Sequence, residues 1–419
     1  MKLVWNQLRN ANFNKIFLVS LIMLGIICIP LVASSLTSGV TIPNSLAIAT
    51  ISPLHVDGRF IEDMNNNTIT LRGVNVGGFT DAPGGMWSGT DLLSYSEWQN
   101  NQALVTAELD AIQSWGCNVV RCHYAAQYWV QNTNNFRTII YQFVQLCAQR
   151  DIYVILDGFC VWGWFSASGG QQATGQDALP YPPYQLYANS STIIPNQGAY
   201  ENMMLSIATT LSNCSNVIIS MWNEAGGGLN TTQYPTAESD YLGVTQTTIN
   251  MIRSAGVQNI VLATWSWGLW ANLQFPPPQP PNEGGNPAGT LSWVYDYPLN
   301  GTNIAYDIHY YDAFGQNVTY AQIVQGLTDC WLPYVLNNLT KPVLIGEIGA
   351  DIAWTGDQLT AELNTFNYTL EALNGLGVGY CGWFFGVVGI YQLINTYGPS
   401  WTPTAPGTIL IDNIAINSP

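Results

Sequence analysis

The feature that most constrains this chain is a regular alternation. From residue 68 onward, short β-rich runs are separated by stretches with helical periodicity. Eight such runs can be read: 68–76, 118–124, 153–159, 217–224, 260–267, 304–311, 342–349 and 379–386. The helical stretches between them are clearest at 102–115, 136–150, 198–213, 239–255, 320–337 and 358–375, the first stopped by Gly116. Only the connection from the fifth run to the sixth breaks the pattern. Its "FPPPQPPNEGGNPAG" (275–289) cannot be helical, because proline lacks the N–H and clashes with the preceding turn.

Strands alternating with helices imply a parallel sheet. Eight of them, with no Gly-x-Gly-x-x-Gly turn, favour a closed (β/α)₈ barrel, the α/β class, over an open nucleotide-binding sheet. We expect one such domain over 53–419, ending from Trp401 in the last packing layer or a short terminal strand.

The chain start reads differently. Lys2, Arg9 and Lys15 precede an apolar run at 16–36, and Ala33-Ser34-Ser35 offers a small-residue cleavage region. We read 1–35 as a signal peptide or N-terminal membrane anchor and 36–52 as an uncharged linker. Asn-x-Ser/Thr sequons at Asn66, Asn189, Asn213, Asn230, Asn300, Asn317, Asn338 and Asn367 agree with an exported glycoprotein. The expected location is extracellular or at the cell surface, with membrane contact only through an uncleaved leader.

Charged residues make up 9% of the chain, and removing the leader leaves seven bases against 26 acids, formally −19. That balance excludes a nucleic-acid groove, which needs a basic face. It also suits a protein working in strong acid, where protonated carboxylates leave few charges to repel one another. A sugar-coated secreted protein at neutral pH explains the composition equally well. Outside the leader there are seven cysteines, so at least one stays unpaired within the chain. No Cys-x-x-Cys spacing occurs, and several cysteines sit in apolar runs as buried thiols.

In a parallel barrel, chemistry collects at the C-terminal strand ends. The unusual residues fall there: Arg121 and His123, Asp157, Asn223 and Glu224, Trp265 and Trp267, His309 and Tyr311, Glu347, and Trp383. Glu224 ends the fourth run and Glu347 the seventh. Two acids facing each other across a barrel mouth suit glycosidic-bond hydrolysis: one donates a proton to the leaving oxygen, the other attacks the anomeric carbon. A gap of roughly 5–5.5 Å gives retention and one of roughly 6.5–9.5 Å inversion. Tryptophans at 87, 129, 162, 164, 265, 267, 270, 293 and 354 are expected mostly in rim loops, where flat rings stack on sugars. Trp162 and Trp267, nearest to strand ends, are the preferred sugar contacts. No metal or cofactor is called for, and HExxH, GxSxG and phosphate-loop motifs are absent.

In order, "LRGVN" (71–75), "NVVR" (118–121), "WNE" (222–224), "HYY" (309–311), "GEIG" (346–349) and Trp383 resemble glycoside hydrolase family five, which contains cellulases and β-mannanases. The resemblance covers 57–390. It implies Glu224 as acid/base and Glu347 as nucleophile, and Asn223 as partner of the sugar 2-hydroxyl. It further implies that Arg121 keeps Glu347 ionised, Tyr311 holds one Glu347 oxygen, His309 bonds near the acid/base, and Trp383 floors the cleavage subsite. Cellulase-like members resemble Asp-x-His at the third strand end, whereas this chain has Asp157-Gly158-Phe159. His123 is the candidate substitute for the missing imidazole. The expected activity is a retaining endo-β-1,4-glucanase acting as a monomer on a polysaccharide. The alternatives are a β-mannanase and a non-catalytic polysaccharide-binding surface protein.

Overall fold

The computed structural model describes residues 51–79, 102–132, 135–159, 194–225, 236–264, 269–270, 298–311, 319–326, 341–387, 389–398 and 400–416. Two short antiparallel strands come first, β1 (His55–Asp57) and β2 (Phe60–Glu62), joined by a two-residue turn whose Gly58 takes φ +54°. The sequence shows no alternation long enough to reveal this hairpin. Its His55 lies 3.6 Å from Glu62, a structural pairing.

The barrel follows: β3 (Arg72–Phe79), β4 (Val119–Ala125), β5 (Tyr153–Phe159), β6 (Val217–Ser220), β7 (Val261–Ala263), β9 (Ile304–Tyr311), β10 (Val343–Gly349) and β11 (Gly379–Gly382). All neighbours pair in parallel in that order. The β10 strand also pairs with β9 on one side and β11 on the other, which closes the ring. A two-residue strand, β8 (Leu269–Trp270), adds to the upper end of β9 opposite Tyr310 and Tyr311. Strands covered on both faces read as continuous apolar runs, which is why they are visible in the sequence.

The helices are α1 (Gln102–Ser114), α2 (Ala126–Gln131), α3 (Phe136–Ala148), α4 (Gln197–Thr210), α5 (Ala237–Ser254), α6 (Tyr320–Gly326), α7 (Gly356–Leu376) and α8 (Ala405–Ala415). Local chemistry sets their ends. Asn196 caps α4 by accepting from the Ala199 N–H, and Gly377 closes α7 at φ +68°.

Five expectations are corrected. The first barrel strand runs four residues later than read, because Thr68 bridges to Glu62 and belongs to the hairpin side. The fourth strand stops at Ser220, before Trp222-Asn223-Glu224, and the eighth stops at Gly382. Of the two expectations for the segment after Trp401, the strand is corrected: it is helix α8, packed on α7 and started by Thr404, whose side chain accepts from the Gly407 N–H. Trp129 is not a rim aromatic: it is 1% exposed, beneath Tyr124 and under the Arg137 guanidinium.

The lower end of the barrel is plugged by apolar contacts. Leu54 and Ile61 of the hairpin region pack with Leu71, Val119, Ile155, Ile218, Leu262 and Leu344. The upper end is therefore the place for a site. Cys117, Cys122, Cys147, Cys214 and Cys381 are buried, and burial pushes the thiols of Cys117 and Cys214 up to about 12 and about 11. Cys160 and Cys330 lie outside the described residues, as do the leader and the 275–289 connection. Among the described residues no helix is long and apolar enough to cross a membrane.

Candidate active site

Inward-facing residues alternate along each strand, so a polar residue near a strand end and its neighbour two positions away share the barrel interior. On β4 these are Arg121 and His123; on β9 they are Asp307, His309 and Tyr311. Glu347 needs a different device. Along β10, Leu344 is opposite Asp307 and Ile345 opposite Ile308, but the next pair is Glu347 with His309. Gly346 is thus an extra residue, a β-bulge, and without it Glu347 would fall opposite Tyr310 and face outward. The bulge turns the acid into the barrel.

Glu224 is aimed by backbone conformation as well. It lies four residues beyond β6, after a strand-like bond from the Asn223 N–H to the Gly158 carbonyl at 2.8 Å. Its φ of +38° is a left-handed value that L-residues adopt at a cost of about 1–3 kcal/mol. Trp222 is buried under this turn against Gly158, where a β-carbon would come within 2.7 Å of the indole. That contact accounts for glycine in Asp157-Gly158-Phe159.

Arg121 is the centre of the site, wholly buried. One terminal nitrogen, Nη1, donates to Glu347 Oε1 at 2.7 Å and Asn75 Oδ1 at 3.0 Å. The other, Nη2, donates to Asp157 Oδ2 at 3.0 Å and Asn223 Oδ1 at 2.7 Å. Its Nε faces Asp307 Oδ2 at 3.5 Å. Around it, Tyr311 donates its hydroxyl to Glu347 Oε2 at 2.6 Å, and His309 Nδ1 lies 2.5 Å from Glu224 Oε1. The His123 Nδ1 lies 2.9 Å from Asp157 Oδ2, its Nε2 3.9 Å from Glu347, and its ring meets the edge of Trp383.

These contacts drive the two glutamates apart in proton affinity. For Glu224, burial raises the carboxyl above its ordinary value, and the charge of Glu347 adds to the rise against the opposing pull of His309. For Glu347, burial also pushes upward. The charges of His309, Arg121 and His123 and the Tyr311 hydroxyl outweigh it and bring the carboxyl below its ordinary value. Burial raises Tyr311 and the Glu347 charge raises it further, so the phenol stays a donor. The oxygens of Glu224 and Glu347 and a ring nitrogen of His309 lie within 4.8 Å of one another. A cation between them would meet the Arg121 guanidinium, 2.7 Å from Glu347 and 3.1 Å from His309 Nε2, so the arrangement suits proton sharing.

Eight of the ten residues singled out from sequence thus converge: Arg121, His123, Asn223, Glu224, His309, Tyr311, Glu347 and Trp383. Trp162 and Trp267 lie outside the described residues, as does the side chain of Phe159. Three members of the site were not among the ten. Asn75 donates to the carbonyls of Gly346 and Cys381 while accepting from Arg121; it was visible only as the last letter of "LRGVN". Asp157, on β5, pairs with Arg121 and His123. Asp307 lies two residues before His309 on the same face of β9, one layer below the rim.

A closed (β/α)₈ barrel whose strand ends gather two acids of opposite proton affinity is the architecture of a glycoside-cleaving enzyme. The profile of the cellulases, glycosyl hydrolase family 5, matches residues 64–387, and the chain belongs to that family. Similar solved structures include a β-glucanase from Saccharophagus degradans, at 17% identity and TM-score 0.60, over 90% of this chain and 98% of that one. An endocellulase from the archaeon Pyrococcus horikoshii gives 17% and 0.59 over 88% and 100%. A β-mannanase from Streptomyces thermolilacinus, with mannohexaose, gives 17% and 0.54 over 88% and 97%. No curated protein matches the chain.

Proposed function

We propose that this glycoside hydrolase is an exported, endo-acting β-1,4-glucanase that retains anomeric configuration, with Glu224 as acid/base and Glu347 as nucleophile. The observation that carries the reading is the approach of the two glutamates, one oxygen of each within 4.8 Å of the other, which supports the short carboxyl spacing of a retaining enzyme over the wider one of an inverting enzyme. Glu347, held ionised by Arg121 and Tyr311, attacks the anomeric carbon as Glu224 protonates the leaving oxygen. In the second half, Glu224 takes a proton from water, which attacks the same carbon and releases Glu347. Asn223, oriented by Arg121, bonds the sugar 2-hydroxyl. His123 stands beside Trp383 as the imidazole facing the cleaved sugar.

Support for a glucan comes from the β-glucanase of Saccharophagus degradans, also solved with cellotetraose. Mannan is the second reading, favoured by Phe159 where the cellulase-like pattern has an imidazole, and by the mannanases among the similar structures. Export rests on the leader and on sequons such as Asn66, Asn213 and Asn300, which are exposed. The reading takes the enzyme as a monomer. Reducing-sugar release from carboxymethyl-cellulose, β-glucan, xylan and mannan, beside Glu347→Ala, tests the substrate. Glucan release that vanishes in the variant supports the first reading; release from mannan alone supports the second. Mass and N-terminal sequence of the extracellular fraction test export and the fate of the leader.

A further inference from the structure

Glu224 lies beyond the end of its strand, so its place depends on what holds the turn from Met221 onward. Strand β6 ends at Ser220. Past it, Met221 donates its N–H to the Leu262 carbonyl at 2.9 Å, and Asn223 donates to the Gly158 carbonyl at 2.8 Å. Those bonds tie the turn to β7 and β5. Another tie comes from the helical layer: Tyr200 of α4 donates its hydroxyl to the Met221 carbonyl at 2.5 Å. The same ring meets the Trp222 indole edge-on, with centroids 6.2 Å apart and planes at 75°. Tyr200, Met221 and Trp222 are all buried. Tyr200 stands in the first turn of α4, whose start is fixed by the Asn196 cap. Packing alone would be served by phenylalanine; the hydroxyl is what reaches Met221.

We propose that Tyr200 is a positioning residue for the acid/base, holding the turn that carries Glu224 through the Met221 carbonyl and the Trp222 ring. Glu224 takes φ +38°, a conformation that persists only where its surroundings over-determine it. A buried carbonyl needs a donor. Without the phenol, the Met221 carbonyl must find another partner, and the strained residue beyond it can relax. A general acid has to lie within hydrogen-bond reach of the oxygen it protonates, so such a shift weakens proton transfer first. Asn223 keeps its own ties to Gly158 and Arg121. Glu347 is held by Arg121, Tyr311 and the Gly346 bulge, all on other elements. The effect therefore falls on the acid, not on the nucleophile or the 2-hydroxyl contact.

The inference rests on Glu224 being the acid/base, and the leaving group of the substrate separates that acid from the rest of the site. A dinitrophenyl β-cellotrioside releases a stable phenolate and needs no proton, whereas a phenyl β-cellotrioside releases a basic one and needs the acid. For Tyr200→Phe, kcat/KM should fall by about 10- to 100-fold on the phenyl glycoside and stay within about twofold of wild type on the dinitrophenyl one. Glu224→Gln should show the same selectivity in larger measure. The corresponding β-mannosides serve where mannan is the substrate. Equal losses on both glycosides, or none on either, overturn the proposal. Trp222→Phe keeps the phenol and shrinks the ring it abuts, and it decides by the same ratio where Tyr200→Phe does not fold. A folded wild-type enzyme that cleaves none of these glycosides sinks the functional reading and this inference with it, a result distinct from either pattern of loss.

Discussion

Gly346 donates its backbone N–H to Asp307 Oδ1 at 2.8 Å, and a β-carbon on that glycine would overlap the same carboxylate. The bulge that faces Glu347 inward can thus exist only with glycine at its tip. Gly346→Ala must either expel Asp307 from the Arg121 cluster or undo the bulge. A misplacement of about 1 Å at reacting atoms lowers rate by on the order of 100-fold. We expect at least that loss in kcat, with a lower Tm by circular dichroism. Wild-type kcat in this variant would show that the bulge does not aim Glu347.

Tyr311 donates to Glu347 Oε2 at 2.6 Å, a charge-assisted bond that favours the ionised nucleophile. Tyr311→Phe removes it, so the Glu347 carboxyl rises. The ionised form is then lost at a higher pH as the medium is acidified, and the acid limb of kcat/KM should move toward neutrality. We expect a kcat lowered by about 10- to 100-fold, roughly the weight of one hydrogen bond to a charged group. An acid limb that stays in place would mean that Tyr311 only packs against Tyr391, which its ring also touches.

Arg121 neutralises Asp157, Asp307 and Glu347 inside the barrel, with side-chain exposures of 0%, 0% and 6% for the three acids. Arg121→Met leaves these buried acids without their guanidinium, a change that destabilises by about 3–5 kcal/mol where one partner of a buried pair is removed. Burial raises the Asp157 carboxyl, but Arg121 and His123 outweigh it and hold the group below its ordinary value. A depressed carboxyl contributes stability above its unfolded pKa and loses it as pH falls through the folded value. Denaturant unfolding should therefore show a large deficit at neutral pH that narrows in acid. A deficit independent of pH would assign the loss to packing.

The barrel is legible in sequence because strands buried on both faces must be apolar and the covering helices must be amphipathic, two periods that differ at a glance. The site is legible where a polar residue interrupts an apolar strand end, as at Arg121, His309 and Glu347. Asp307 escapes this reading because it lies one layer below the rim, where position alone does not separate a working acid from a structural one. The bulge escapes because "GEIG" carries no mark of an inserted residue; only pairing with β9 reveals that Gly346 is extra. Helix α8 escapes because its proline looks like a break, whereas at the first turn proline is compatible with a helix.

Glu224 holds an acid where burial and the charge of Glu347 both oppose ionisation. A carboxyl whose folded pKa is raised above its unfolded value weakens the fold once pH exceeds the unfolded value, by an amount that grows until the folded pKa is passed. Below the unfolded value the term vanishes, since both states are protonated. Glu224→Gln keeps the shape and an acceptor for His309 but cannot ionise. The variant should hydrolyse glycans at least about 100-fold more slowly, as expected where a general acid is removed. Measured by calorimetry at neutral pH, it should nonetheless melt higher than the wild type. The difference should shrink on acidification and disappear below the ordinary range for glutamate. A variant that melts lower at neutral pH would mean that the charge of His309 stabilises the ionised acid more than burial and Glu347 oppose it.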